Sequence, residues 1–131
     1  MRLFGSPRLL TRAELGALGE RHAARYLRAQ GFRLLEANYR TKAGEIDLIA
    51  RQGDTLVFVE VRTRTSNEVM TPLASVNAET QRHIARTARH YLRVRRLSAC
   101  PCRYDVVEVL ATPTGTVTDI HHVAGAFIEG M

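Results

Sequence analysis

The sequence is short of several residue types, and each shortage argues against a class of protein. There is no tryptophan, there are two cysteines, and a single lysine, Lys42, stands among 19 basic residues. Cys100 and Cys102 flank one proline, which is too close for an ordinary disulfide and departs from the usual zinc-ligand spacing. A disulfide-stapled or zinc-stabilised fold is therefore not favoured, and no role follows for either thiol or for His121 and His122.

Long apolar runs are missing as well. No segment approaches the roughly 18 residues that a membrane span requires. Residues 1–12 carry arginines but neither an apolar stretch nor a cleavage-like site, so they do not resemble a signal peptide. These absences predict a cytoplasmic protein that has no membrane partner.

What is present fits one globular domain. The chain has 131 residues, of which 45% are hydrophobic and 24% charged, so it can bury a core without disulfides or a metal. We expect a basic N-terminal tail at 1–10, a single domain at 11–124 and a C-terminal tail at 125–131.

Positive charge is in excess and is carried almost entirely by arginine. The formal net charge is +6, and all basic residues except Lys42 are arginines. Because arginine contacts phosphate through two donors at once, this excess favours a nucleic-acid partner. A genome that prefers arginine codons would explain the ratio of arginine to lysine, but not the net excess.

The order of secondary-structure signals predicts an α/β fold. Thr11 and Glu14 have capping-box spacing at the start of a helix that Gly31 ends. Strand-like runs follow at 32–39, 45–51 and 55–62, then a polar loop at 63–72, a helix at 77–94, and strands at 103–110 and 116–123. The predicted order is α-β-β-β-α-β-β, with a mixed central sheet flanked by helices.

The second and third strands form a predicted hairpin that brings carboxylates together. With Gly53-Asp54 as its turn, Asp47 lies opposite Glu60 and Glu45 lies opposite Arg62. The same register places Ile46, Leu48 and Ala50 together on the other face, although a one-residue bulge would shift it.

Facing carboxylates in a largely apolar sheet repel each other unless a cation lies between them. Oxygen ligands at this spacing suit Mg²⁺ or Mn²⁺. The alternative is an ordinary network of ion pairs at a sheet edge, made of the same four side chains.

At these residues the sequence resembles the YraN-like family of small bacterial proteins, uncharacterised protein family 0102. The resemblance is carried by G-E-I-D-L-I-A at 44–50 and V-F-V-E-V-R-T-R at 57–64, and by Gly19-Glu20, Asn38-Tyr39-Arg40 and Tyr104-Asp105-Val106. That family is assigned to the PD-(D/E)xK nuclease superfamily, near the archaeal Holliday-junction resolvases.

The resemblance implies a restriction-endonuclease-like fold and a Mg²⁺-dependent cut in structured or single-stranded DNA. It assigns the metal ligands to Asp47 and Glu60, with Glu20 on the first helix as a further ligand. Glu45 and Arg64 are supporting residues, and resolvase relatives suggest a homodimer.

Two departures from the family pattern leave the activity open. Arg62 and Thr80 stand where the family usually has lysines. Arginine stays protonated, so Arg62 can hold a phosphate but cannot act as a base. The alternative is an inactive nuclease fold that binds nucleic acid without cutting it, and a third interpretation is a structural interaction subunit.

A stripe of arginines lies on the predicted second helix. Arg82, Arg86, Arg89 and Arg93 recur at spacings that share one face, opposite the apolar Ile84, Ala88, Tyr91 and Leu92. No acidic residue occurs between Arg82 and Arg103. This stripe is either a phosphate-contacting surface or a solvated helix face.

Overall fold

The computed structural model describes residues 7–65 and 76–127. Within these ranges, two helices flank a five-stranded sheet, and the predicted order α-β-β-β-α-β-β is confirmed. The elements are α1 (Arg12–Ala29), β1 (Arg33–Thr41), β2 (Gly44–Gln52), β3 (Thr55–Arg64), α2 (Ala78–Val94), β4 (Cys102–Ala111) and β5 (Val117–Phe127).

Two strands run further than the sequence indicated. β3 continues through Thr63 and Arg64, which had been assigned to a loop, because it pairs with β4 over its whole length. β5 continues past Val123 to Phe127, which pairs with Tyr104, so residues 125–127 belong to the sheet. The rest of the predicted loop, at 66–72, lies outside the described residues.

The sheet is mixed, with spatial order β1-β2-β3-β4-β5. Neighbouring strands are antiparallel except β3 and β4, which are parallel. A parallel pair needs a crossover, and α2 supplies it. The C-terminal end of β3 therefore reaches the same edge of the sheet as the C-terminal end of β4.

Each helix covers its own face of the sheet. α2 packs on one apolar cluster, which includes Ile49, Leu56, Phe58, Tyr91 and Tyr104. α1 packs on another, which includes Leu27, Leu48, Val57, Val59 and Val107. Because consecutive strand residues divide between the two clusters, the helices lie on opposite faces of the sheet.

The helix starts follow the sequence signals. Thr11 accepts a hydrogen bond from the Glu14 backbone at 3.1 Å while Glu14 accepts one from the Thr11 backbone at 2.9 Å, so the predicted capping box is confirmed. Asn77 caps α2 by accepting from the Thr80 backbone at 2.9 Å. Among the described residues, no helix is long and apolar enough to pass through a bilayer.

The β2–β3 hairpin keeps its predicted register only near the turn. The ladder runs from Gln52–Thr55 to Leu48–Val59, which is the pairing expected for a Gly53-Asp54 turn. The prediction that Ile46 shares a face with Leu48 is wrong, because Ile46 packs with Ile49 in the cluster under α2. The alternation of faces is therefore broken between Ile46 and Ile49, where Asp47 lies.

Candidate active site

Asp47 lies where β2 separates from β3. Its Oδ2 accepts a hydrogen bond from the Val61 backbone nitrogen at 2.7 Å. Beyond the Leu48–Val59 pair, the Asp47 carboxylate therefore accepts the hydrogen bond that a backbone carbonyl would accept in a regular ladder. The two strands open into a fork, and Asp47 is held inside it.

Glu20 reaches this fork from α1 because the helix packs very close to β3. Gly19 is buried, and a methyl group added there would overlap the hydroxyl group of Thr63. The absence of a side chain at Gly19 therefore allows the close approach that brings the next residue, Glu20, beside Asp47.

The acidic groups of the fork disturb one another. Burial raises the pKa of Asp47 to about 8, and hydrogen bonding to Glu60 and its charge add to the shift. Burial also raises the pKa of Glu20 to about 7, with further contributions from the charge of Asp47 and a hydrogen bond to it. The carboxyl groups of Glu20 and Asp47 therefore hold protons near neutral pH when no cation is bound. We call the carboxyl groups of Glu20, Asp47 and Glu60 the fork carboxylates.

Asn38 links two acidic groups of this region and was not singled out as a site residue in the sequence. It lies on β1 with a left-handed φ of 54°. With its amide nitrogen turned toward the acids, it donates to Glu45 Oε1 at 3.1 Å and Glu20 Oε1 at 3.2 Å. A short polar residue inside a strand-like run was the available signal, since asparagine tolerates this φ better than most residues.

The arginines pair differently from the prediction. Glu45 was expected to face Arg62, but Glu45 pairs with Arg40 at 3.3 Å and Arg62 pairs with Glu60 at 3.4 Å. The fork explains the change, because β2 and β3 no longer lie side by side at this point. Glu45 therefore supports Asn38 and Arg40, and Glu60 positions Arg62.

Arg62 and Arg64 line a pocket beside the fork carboxylates. Both are half-buried, and α1 contributes Arg12 and Glu20 to the opposite wall. Arg64 pairs with the buried Glu108 at 2.9 Å. The Nε of Arg62 is buried and has no hydrogen-bond partner among the described residues, so the donors of this arginine are not all satisfied by its contact with Glu60.

The donor set fits a hydrated hard cation better than a metal enclosed by protein ligands. Within 7–65 and 76–127, no three His, Cys, Asp or Glu side chains already occupy metal-coordinating positions. Mg²⁺ typically keeps several waters and takes one or two carboxylates. Asp47 and Glu60 contact each other and meet that requirement. Glu20 is close enough to Asp47 to interact with an ion held there.

The four arginines of the predicted stripe on α2 are all exposed, while Ile84, Ala88, Tyr91 and Leu92 are buried. The helix orientation predicted from the sequence is therefore confirmed. Because α2 and α1 cover opposite faces of the sheet, the stripe is not on the face that supplies Glu20. Arg86 and Arg93 instead line a groove with Arg40 and Lys42.

A second carboxylate network lies on β4 and β5. Asp105 is fully buried and accepts from Arg103 Nε at 3.0 Å, the Gly125 backbone at 3.0 Å and His122 Nε2 at 2.8 Å. His122 also contacts the Tyr26 hydroxyl at 3.2 Å. Burial alone would raise the pKa of Asp105, but these hydrogen bonds outweigh it and lower the pKa.

The remaining unassigned residues are now placed. His121 lies between Glu108 and Asp119, at 3.5 Å and 2.9 Å. Cys100 and Cys102 are half-buried and are not joined in a disulfide. His122 was left without a role because its partner is 17 residues away in sequence and is reached only through the β4–β5 pairing.

Comparison with known proteins identifies close relatives over most of the chain. The model of the uncharacterised protein family UPF0102 matches residues 19–109, a range that contains all three fork carboxylates. A UPF0102 protein of Symbiobacterium thermophilum is 48% identical over 101 residues, which are 77% of this chain and 86% of the relative.

Two further relatives extend the match. A UPF0102 protein of Syntrophus aciditrophicus is 44% identical over 108 residues, covering 82% of this chain and 85% of its own. One from Caldicellulosiruptor saccharolyticus is 38% identical over 118 residues, covering 90% of this chain and 100% of its own. The similarity therefore includes nearly the whole length of these proteins.

Proposed function

Since this chain belongs to the uncharacterised protein family UPF0102, we propose that it is a divalent-metal-dependent nuclease acting on structured or single-stranded DNA. The observation that carries this proposal is the contact of Asp47 with Glu20 and Glu60, where no described residue gives Asp47 a basic partner. Acids gathered in this way destabilise a metal-free fold, and perturbed carboxyl groups in a pocket are typical of functional sites. The resemblance to PD-(D/E)xK nucleases supports the same assignment.

Each residue has a role that follows from its position. Asp47 and Glu60 would hold Mg²⁺ or Mn²⁺, with Glu20 as a further ligand. The ion would polarise the scissile phosphate and lower the pKa of a bound water. Arg62, which Glu60 positions, would bind a phosphate oxygen and stabilise the negative charge that develops during cleavage. Glu45 would act through Asn38, which holds Glu20 in place.

Metal binding tests the site directly. We expect titration calorimetry to show Mn²⁺ binding to the wild type and a loss of about tenfold or more in Asp47→Asn and Glu60→Gln, because each removes a charged ligand. Asp54→Asn is the matched control, since Asp54 is exposed at the hairpin turn. Equal affinity in all four proteins would eliminate the two-carboxylate site.

One observation favours a second candidate function. Arg62 stays protonated where a lysine is expected, so it binds phosphate without being able to accept a proton. On this alternative the chain is an inactive nuclease fold that binds nucleic acid. A cleavage assay with Mn²⁺ on flap, junction and single-stranded DNA separates the two. The binding module is favoured if only Arg62→Lys cuts, and the nuclease is favoured if the wild type cuts and Asp47→Asn does not.

A further inference from the structure

A second row of arginines lies on α1, apart from the stripe on α2. Arg21, Arg25 and Arg28 are exposed and follow one another at spacings of four and three residues, so they lie along one face of the helix. Together with small residues of α1 and β1 they line an open groove, which we call the α1 groove. The small residues are Ala17, Ala24 and Ala37.

The α1 groove joins the candidate active site at Glu20. That residue lines both the groove and the pocket that contains Arg12, Arg62 and Arg64. Positive charge therefore lies on both sides of the fork carboxylates: Arg12 and Arg62 on one side, and the three α1 arginines on the other. The α2 stripe has no such connection, because it lies beyond the opposite face of the sheet.

The charges of this row are not neutralised within the part of the chain that the structure describes. Among residues 7–65 and 76–127, no carboxylate forms an ion pair with Arg21, Arg25 or Arg28. The two acids on α1 are engaged elsewhere, since Glu14 pairs with Arg8 at 2.9 Å and Glu20 contacts Asp47. A row of unneutralised guanidinium groups is suited to bind the regularly spaced phosphates of a nucleic acid.

The length of the arginine row on α1 suits one strand of DNA. Seven residues of α-helix rise about 10 Å, which corresponds to about three nucleotides of one strand at the axial rise of about 3.4 Å that stacked DNA has. The alanines leave the floor of the groove low enough for a backbone to lie between α1 and the edge strand β1. A strand lying here passes Glu20 and continues into the pocket of Arg62.

We infer that the α1 groove binds the sugar-phosphate backbone of a single DNA strand and directs it past the fork carboxylates. The second part, that the strand is led past the fork carboxylates, rests on the proposed function. Binding by the groove itself does not require cleavage, so the two can fail separately.

The test compares two triple variants by the salt dependence of DNA binding. Fluorescence anisotropy with a labelled single-stranded oligonucleotide is measured in EDTA between about 50 and 200 mM salt, where cleavage cannot occur. For Arg21→Ala/Arg25→Ala/Arg28→Ala we expect the slope of log K against log salt to become shallower by about two, since each single-strand phosphate contact contributes about 0.7. The comparison protein is Arg82→Ala/Arg86→Ala/Arg93→Ala, for which we expect a smaller change.

Two controls separate a groove from general electrostatics and from misfolding. Arg51→Ala removes one positive charge at the turn end of β2, far along the strand from Asp47, and should leave the slope unchanged. Replacing the same three α1 residues by lysine keeps the charge, and this variant should keep the wild-type slope. A rescue by lysine shows that the alanine variant lost charge and not its fold.

Other results would overturn the inference. It is wrong if the α1 triple variant keeps the wild-type slope, if the α2 triple variant loses as much, or if the wild type binds no single-stranded DNA. It is also wrong if the α1 arginines are needed only for binding to anionic lipid vesicles. Wild-type protein that binds through α1 but never cuts DNA with Mn²⁺ would support the groove and reject the nuclease.

Discussion

Asp47 on β2 and Asp105 on β4 are half-buried and buried carboxylates of the same sheet, but one is surrounded by acids and the other by hydrogen-bond donors. Asp105 is surrounded by donors from Arg103, His122 and the Gly125 backbone, and its pKa is lowered. Asp47 has one backbone donor and otherwise meets Glu20 and Glu60. Burial, together with the hydrogen bond to Glu60 and the charge of Glu60, raises the pKa of Asp47 to about 8. A carboxylate whose partners are complete stabilises the fold, whereas one surrounded by other acids destabilises it until a cation arrives.

The arginines of the two regions differ in the same way. Arg103 donates two hydrogen bonds to Asp105, at 3.0 Å and 3.3 Å. Arg62 makes a long contact with Glu60 at 3.4 Å, and its side chain lines an open pocket. Within the described residues, the carboxylate of the β4–β5 network is therefore matched by donors, whereas the carboxylates of the fork are not.

The largest expected effect comes from removing the buried charge that is fully paired. We expect Asp105→Asn to lower the free energy of unfolding by about 3–5 kcal/mol, because Arg103 and His122 lose the charge that offsets their burial. Asp47→Asn removes a repelled carboxylate and should cost less than about 1 kcal/mol, or stabilise the metal-free protein. Urea unfolding of both variants at neutral pH measures the difference. Similar losses in the two would show that the fork is also a structural network.

Replacing Arg62 and replacing Arg103 should have opposite effects on activity and stability. If the wild type cuts DNA, Arg62→Ala should reduce the rate about 10²-fold, as expected on losing one donor that stabilises transition-state charge. Its stability should change little, because the Glu60 contact is long and half-exposed. Arg103→Ala is the matched control and should do the reverse, destabilising the protein while the activity of the folded fraction persists.

Much of the fold could be predicted because its signals are local. The capping box at Thr11, the Gly53-Asp54 turn and alternating strands fix the elements and the register near the turn. The ends of β3 and β5 were missed because β3 continues through polar residues and β5 mainly through small ones. There the neighbouring β4, which no local signal reveals, decides the pairing.

Only the part of the candidate site that depends on local signals or on family resemblance could be predicted. Asp47 and Glu60 follow from a hairpin register, and Glu20 from family resemblance. Asn38 and the pairing of Glu45 with Arg40 depend on the fork between β2 and β3, which arises when Asp47 captures the Val61 backbone. The Asp105 network joins three elements across long sequence separations, so no spacing rule could indicate it.

Gly19 tests whether the position of Glu20 depends on close packing of α1. We expect Gly19→Ala to destabilise the protein by about 1–3 kcal/mol, because the new methyl group must displace Thr63. It should also weaken Mn²⁺ binding by moving Glu20 away from Asp47. Gly16→Ala is the control on the same helix, since no other described part of the chain lies within 4 Å of its added methyl group, apart from the helix itself. It should stabilise the protein by about 0.5–1 kcal/mol. Equal effects of the two substitutions in unfolding and calorimetry would contradict this account of the helix position.

The smallest effect is the pH dependence of stability in the metal-free protein. The folded pKa values of Glu20 and Asp47, about 7 and about 8, exceed those of the unfolded chain, so the folded state holds the extra protons. The stability that these protons provide is fully present below about pH 4 and is lost as the pH rises through about 7 to 8. Asp105 has the opposite sign, because its lowered pKa makes its contribution disappear as the pH falls.

The metal-free wild type should therefore become less stable between about pH 6 and about pH 8. Asp47→Asn should remove most of that loss. Mn²⁺ at about pH 8 should restore the stability of the wild type but not that of the variant, because the cation replaces the protons between the carboxylates. Urea unfolding at several pH values, with Mn²⁺ or EDTA, measures all four cases. If the metal-free wild type is as stable at pH 8 as at pH 6, the fork carboxylates do not repel one another in the folded protein, and the contrast with Asp105 loses its electrostatic basis.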